Sequence, residues 1–154
     1  MANPTEAINL TLKHEGGYSD NPADPGGATN MGVEQRDLPN VPIRTLTVAQ
    51  AVAYYTEHYW KPLYAAIESQ PVADKLFDFG VLFGVGTAVE ILQGVLDVKV
   101  DGDFGNATLD AVNAAAADLI EHYESAMIQH AQAVAARNPA LEVFLAGWIN
   151  RINS

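Results

Sequence analysis

The chain reads as mainly α-helical, opening on a loop-rich or small β segment. Three observations predict this. Apolar residues recur every three or four positions through most of the sequence, the period of a helix with one buried face. Helix-start signals stand at Asn3-Pro4, Thr47-Val48-Ala49-Gln50 and Thr87-Ala88-Val89-Glu90. Between Pro22 and Pro42, prolines and glycines forbid any long helix, leaving room for one short hairpin around Thr29 to Val33.

The elements follow in order. Asn3 caps a first helix, Pro4 suits its first position, and Glu6 complements the positive end of its dipole. Its apolar stripe is Ile8, Leu12 and then position 15, with Gly16 and Gly17 as the stop. The second helix starts at the Thr47–Gln50 capping box, buries Val48, Val52, Tyr55 and Tyr59, and is closed by Pro62. Val72, Leu76, Phe79 and Phe83 form the next stripe. The Thr87–Glu90 box opens a helix with Ala88, Ile91, Leu92 and Val95 inward. One long helix is expected from about Ala107 to Ala136, carried by the good helix-former run Ala114 to Ala117 and packing Leu109, Val112, Leu119, Tyr123 and Met127. Asn138-Pro139 restarts the chain, and Leu141, Phe144, Leu145 and Trp148 pack the last helix.

Position 15 is the exception in its stripe, because it is a glutamate. A carboxyl on an apolar face, near the negative end of a helix dipole, is expected to hold its proton more tightly than usual, which suits a general acid. It opens onto a stiff polar loop, Gly16-Gly17-Tyr18 to Gly32-Val33. An inverting glycosidase needs a second carboxylate roughly 6.5–9.5 Å from its acid, with a water between. Asp24, nine residues on, is the candidate, with the Thr29 hydroxyl helping to hold the water and Asp20 competing. Turn chemistry alone also explains both aspartates, which stand among prolines and glycines. Tyr18, beside Glu15, is a candidate platform for a sugar ring.

The stretch His14-Glu15-Gly16-Gly17-Tyr18 through Asp24-Pro25-Gly26-Gly27-Ala28-Thr29-Asn30-Met31-Gly32-Val33 resembles the signature of glycoside hydrolase family 108. The likeness continues through His58-Tyr59-Trp60-Lys61-Pro62-Leu63 and Leu76-Phe77-Asp78-Phe79-Gly80, and ends with Gly147-Trp148-Ile149-Asn150-Arg151-Ile152. That family contains phage and bacterial N-acetylmuramidases. The resemblance implies a lysozyme-like helical fold, peptidoglycan as substrate, Glu15 as the acid, and a cleft position for Tyr18, with Asn30 beside it as a binding residue. The Glu15, Asp24, Thr29 spacing is similar to the Glu–Asp–Thr arrangement of phage-type lysozymes, an analogy that supports Asp24 and Thr29 more weakly. Leu92 to Val112 resembles the helix–turn–helix core of small peptidoglycan-binding modules. The turns at Asp101-Gly102 and Gly105-Asn106 and the core spacing of Leu92, Leu96, Leu109 and Val112 nevertheless favour a structural helical hairpin over an independent wall-binding site. A single domain over residues 1–154 is expected, with 1–85 as its catalytic part and 86–154 as a helical part resembling such a module. One departure stands out: where the family has small or polar residues after Asp78-Phe79-Gly80, this chain has Val81-Leu82-Phe83-Gly84, an apolar patch that bears on sugar recognition.

Composition bounds the rest. A net charge of −11, with eight Lys and Arg scattered from Lys13 to Arg151, argues against nucleic-acid binding and against electrostatic steering to an anionic wall. There is no cysteine, hence no thiol chemistry. His14-Glu15 is followed by Tyr18 where a zinc motif needs His, and His122 and His130 are too far apart to share an ion, so no metal or cofactor is expected. No membrane span or cleavable leader is visible. The expected enzyme is a monomer made in the cytoplasm, reaching the wall through a phage holin, another release system or a virion. Trp60 and Trp148 read as core or interhelical anchors, and Arg151 as a surface residue, with a salt bridge to a carboxylate near the site as the alternative. Two rival readings remain: an inactive wall-binding or virion structural protein, and a lytic transglycosylase, which leaves an anhydro sugar and makes Asp24 dispensable.

Overall fold

A computed structural model describes residues 1–23 and 25–154; the candidate Asp24 lies outside the described residues. Seven α-helices and one two-stranded sheet are found among the described residues. They are α1 (Pro4–His14), β1 (Thr29–Asn30), β2 (Val33–Glu34), α2 (Val48–Tyr59), α3 (Gln70–Phe83), α4 (Val85–Val95), α5 (Asn106–Ala114), α6 (Leu119–Arg137) and α7 (Glu142–Ile152). Short 3-10 turns at Ile43–Thr45, Pro62–Ala66 and Pro139–Leu141 join them.

Two hydrophobic clusters divide the interior, and α3 is the wall between them. The smaller gathers Ala7 and Ile8 from α1, Val33 from β2, Ile43 and Leu46, and Ala51 and Tyr55 from α2 around Phe77. The larger is helical throughout its centre, with Leu76 and Phe79 of α3 meeting Ala88 and Leu92 of α4 and Tyr123 and Met127 of α6. Phe77 and Phe79 thus point to different cores from one helix, as a two-residue step requires. Trp60 packs against both clusters.

Several expected elements form for the expected reasons. The Asn3 side chain accepts the Thr5 N–H at 2.9 Å. Thr47 and Gln50 close a reciprocal capping box. Between β1 and β2, Met31 (φ 50) and Gly32 (φ 75) are both left-handed, the pattern of a tight type I′ hairpin.

Other details differ. The buried positions of α1 are Ala7, Ile8 and Thr11, and Leu12 is only partly buried. In α2, Val48 is exposed, and Ala51 and Tyr55 carry the contact. Thr87 does not cap α4: Gly84, at φ 97, ends α3 and starts α4 in a single residue, so the helix begins at Val85. The expected long helix is two helices, because the chain turns extended at Ala115 (φ −69, ψ 154) within the alanine run. Tertiary docking overrides local propensity here. In α5, Asn113 accepts the Glu68 N–H at 3.0 Å and donates to the Ala66 carbonyl at 3.1 Å, while in α6 the buried Tyr123 hydroxyl donates to the Ala88 carbonyl at 2.8 Å. The bend between them lets each helix keep its own partner. Phe144 faces solvent, and the fully buried residue of α7 is Ile152.

The loop joining α4 to α5 is pinned by a buried glutamine. Gln93 accepts the N–H groups of Asp101 and Gly102, each at 3.0 Å. Its amide donates to the Asp101 carboxylate, the Asp103 carbonyl and the Thr108 hydroxyl. The end of α7 is fastened as firmly. Lys75 of α3 donates to the Ile152 carbonyl at 2.7 Å and pairs with Glu124 of α6 at 2.8 Å, and Ser154 lies 3.0 Å from the His14 ring. Those ties fix where Arg151 points. No helix is long and apolar enough to cross a membrane among the described residues.

Candidate active site

Glu15 stands at the junction of α1, the hairpin and α7. It lies just past the helix in extended backbone (φ −77, ψ 141), its N–H still closing onto the Thr11 carbonyl. The chain therefore leaves the helix one residue earlier than the stripe implies, and neither Gly16 nor Gly17 adopts a left-handed stop. The Glu15 side chain is 19% exposed.

One carboxylate oxygen, Oε1, meets Arg151 Nη2 at 2.9 Å. Arg151 is no surface residue: its side chain is 13% exposed and is shared with Asp78 of α3. Nε reaches Asp78 Oδ2 at 3.1 Å and Nη2 reaches Oδ1 at 2.9 Å, a two-pronged grip. Thr11 of α1 donates to the same Oδ1 at 2.8 Å. Burial by itself would lower the guanidinium pKa, but Asp78 and then Glu15 hold it above its ordinary value, so Arg151 is permanently charged. The row Thr11–Asp78–Arg151–Glu15 joins three helices.

The other oxygen, Oε2, lies against the hairpin turn. A Cβ on Gly32 would sit 2.6 Å from it and would also collide with the Tyr55 hydroxyl. That hydroxyl donates to the Met31 carbonyl at 3.0 Å, and the Met31 N–H donates to the Gly16 carbonyl at 3.0 Å, so the turn is tied to both α2 and the chain after Glu15. Burial, and next the charge of Glu15, push the Tyr55 hydroxyl well above the usual tyrosine range, which keeps it a neutral donor. Glu15 is thus wedged between an arginine and a turn that only glycine fits.

Thr29 lies in β1 opposite Glu34, with its backbone paired to Ser19 in both directions at 2.8 and 2.7 Å. That bridge, with the Met31 N–H on the Gly16 carbonyl, brings the hairpin against the chain that leaves α1. Asn30 spends its amide on the Ile43 and Arg44 carbonyls, at 3.0 and 3.4 Å, tethering the hairpin to the following 3-10 turn. Tyr18 is 39% exposed; its hydroxyl donates to Asp20 at 3.3 Å, and the Arg44 guanidinium lies 5.2 Å from its ring centre. The ring is therefore orientated by a cation rather than by a core.

Asp78, Tyr55 and Gly32 are site residues that sequence reasoning did not assign, and Arg151 takes its alternative reading, a salt bridge to a carboxylate at the site. Asp78 and Arg151 each fall in stretches that carry the family likeness, and a charged residue within a buried helical stripe was their available signal. No cluster of three or more His, Cys, Asp or Glu suited to a metal occurs among the described residues.

This arrangement, a mostly buried carboxyl at the end of the first helix facing a short hairpin in a mainly helical molecule, defines a lysozyme-like protein. The structure of Brucella abortus SagA is similar over 97% of this chain and 89% of its own, at 32% identity and a TM-score of 0.76. Residues 8–84 match the family model Glycosyl hydrolase 108, and residues 87–153 match the model Predicted Peptidoglycan domain. No curated protein matches the chain significantly. The chain belongs to glycosyl hydrolase family 108, a family of glycoside hydrolases acting on peptidoglycan.

Proposed function

We propose that this chain is an N-acetylmuramidase, hydrolysing the β-1,4 bond between N-acetylmuramic acid and N-acetylglucosamine in peptidoglycan. The observation that carries the reading is the seating of Glu15, one oxygen on Arg151 and the other on the Gly32 turn, four-fifths buried at the junction of α1, the hairpin and α7. A carboxyl held so tightly is aimed before substrate arrives, and such positioning is where much of a glycosidase's rate arises.

Glu15 gives its proton to the leaving glycosidic oxygen as the bond to the anomeric carbon breaks. A water held by Asp24 and Thr29 adds to that carbon from the opposite face, and Asp24 takes its proton. The product sugar then has inverted configuration. Arg151 supports the carboxylate that Glu15 becomes.

Loss of turbidity of outer-membrane-stripped cell walls, followed by product mass and anomeric analysis, tests this. The wild type should lyse walls and release reducing muramic ends, and Glu15→Gln should not. Retained configuration would remove the Asp24 water from the mechanism. Anhydro ends, with Asp24→Asn at full turnover, would establish a lytic transglycosylase. Wall sedimentation without any lysis would leave only a binding protein.

A further inference from the structure

The face of α7 beside Arg151 carries a groove of about 600 Å3 of whose lining the proposed reaction uses Arg151 alone. Its size lies within the roughly 300–1,000 Å3 typical of small-ligand clefts. Leu82, Phe144 and Trp148 supply its apolar walls, and His14, Asn150 and Arg151 supply its polar edge. Gly147 leaves open space at its floor, since a Cβ there would meet nothing within 4 Å.

Three features point to one kind of occupant. First, the aromatics form a fixed platform. Trp148 is braced edge-on by Phe83 at 5.4 Å, and Phe144 lies nearly parallel to it at 6.2 Å while remaining 54% exposed. An exposed, pre-set aromatic face is suited to the C–H face of a sugar ring. Second, the groove adjoins the reacting centre through one residue, because Arg151 lines it and also touches Glu15. Third, among the described residues no carboxylate lines it, in a chain with 19 acidic residues. The Asn150 amide, the His14 ring and the Arg151 guanidinium at its edge suit acetamido and lactyl oxygens. The apolar Leu82-Phe83 step, which departs from the family pattern, builds this groove: Leu82 lines it and Phe83 braces Trp148.

We propose that this groove is a saccharide subsite, seating an N-acetylhexosamine ring of the glycan strand beyond the residues bound at Glu15. The proposal rests on peptidoglycan being the substrate, but it is separable from the muramidase reading. The subsite adds contact with the glycan strand and compensates for the diffuse attraction to an anionic wall that an acidic protein lacks.

Glu15→Gln, which binds without turnover, is titrated with peptide-free N-acetylglucosamine tetramer and hexamer while tryptophan emission is followed. A saturable emission change is expected, absent from Glu15→Gln/Trp148→Phe. Adding Phe144→Ala, which removes the platform, or Gly147→Leu, which fills the floor, should weaken hexamer binding at least ten-fold. With Glu15 intact, the same two changes should raise KM for long glycan and leave kcat within two-fold. The proposal is overturned by hexamer binding that ignores all three changes, or by a response only to fragments bearing stem peptides. It is equally overturned if sedimentation shows a dimer that Phe144→Ala dissociates without altering hexamer binding. Wall lysis with an unchanged KM in both variants sinks the subsite and leaves the muramidase standing. Trp148-dependent binding by a protein that lyses nothing does the reverse.

Discussion

Replacing Gly32 with alanine separates the two roles that this residue plays. At φ 75 an alanine costs about 1–2 kcal/mol in backbone strain alone. Its Cβ would also stand 2.6 Å from Glu15 Oε2 and 2.9 Å from Glu15 Cδ, where ordinary contact begins at 3.4 Å. The carboxyl must therefore retreat by about 0.8 Å, and the Tyr55 hydroxyl must leave the Met31 carbonyl. Crowding of this kind adds about 1–3 kcal/mol, of which the lost hydrogen bond is roughly 1. Gly27→Ala is the matched comparison: its φ is 79, but the nearest atom to its added Cβ is Gln35 Cβ at 3.7 Å. Urea denaturation should place Gly32→Ala about 2 kcal/mol below Gly27→Ala, and thermal melts should separate them by roughly 4–8 °C. Because displacing a catalytic group by about 1 Å costs on the order of 100-fold, kcat/KM of Gly32→Ala on cell walls should fall about that far. If the two alanine variants are equally stable, and Gly32→Ala keeps wall lysis within two-fold of the wild type, then Glu15 is not held by the turn.

Three further outcomes follow from contacts elsewhere in the molecule. Asp78→Asn removes the charge that Arg151 grips most closely and should cost about 3 kcal/mol in urea denaturation, as expected when one partner of a largely buried pair is lost; an effect under about 0.5 kcal/mol would mean that Glu15 alone suffices. Gln93→Leu leaves the Asp101 and Gly102 N–H groups without their acceptor and should destabilise by about 2–4 kcal/mol, with accelerated amide exchange confined to the α4–α5 loop; exchange unchanged there would refute the pinning role. Burial, and to a smaller degree Glu6, raise the Asp74 pKa despite its hydrogen bond from Gln70 and the nearby Lys75. A carboxyl whose folded pKa exceeds its unfolded value favours the fold below the unfolded value and loses that contribution as pH rises through the folded one. Asp74→Asn should therefore be more stable than the wild type at pH 7, with the advantage gone near pH 3; an advantage that persists unchanged at pH 3 would contradict the assignment.

What the sequence made legible is what neighbours in the chain decide. Asn3, the Thr47–Gln50 box and the Met31-Gly32 turn announce themselves, because each acts through partners within a few residues. The carboxyl at position 15 was visible as a breach of the apolar stripe, although the chain has already left the helix there. Thr87 misled because a single glycine, Gly84, turns one helix into the next, a matter of backbone geometry rather than capping chemistry. The alanine run broke because Asn113 and Tyr123 have partners in different places. Asp78, and the choice between the two readings of Arg151, were opaque for the same reason on a larger scale: their pairing depends on how α1, α3 and α7 meet, and no local period encodes that.

The grip of Arg151 on Glu15 also limits how freely the two parts of the molecule can be recombined. The glycosyl hydrolase model ends at residue 84, and the arginine lies inside the stretch matched by the peptidoglycan model. An exchange of the second part for an unrelated wall-binding module would take away a charge that touches the carboxyl of the first. The boundary between the two family matches therefore does not separate the surroundings of Glu15, which draw on both stretches.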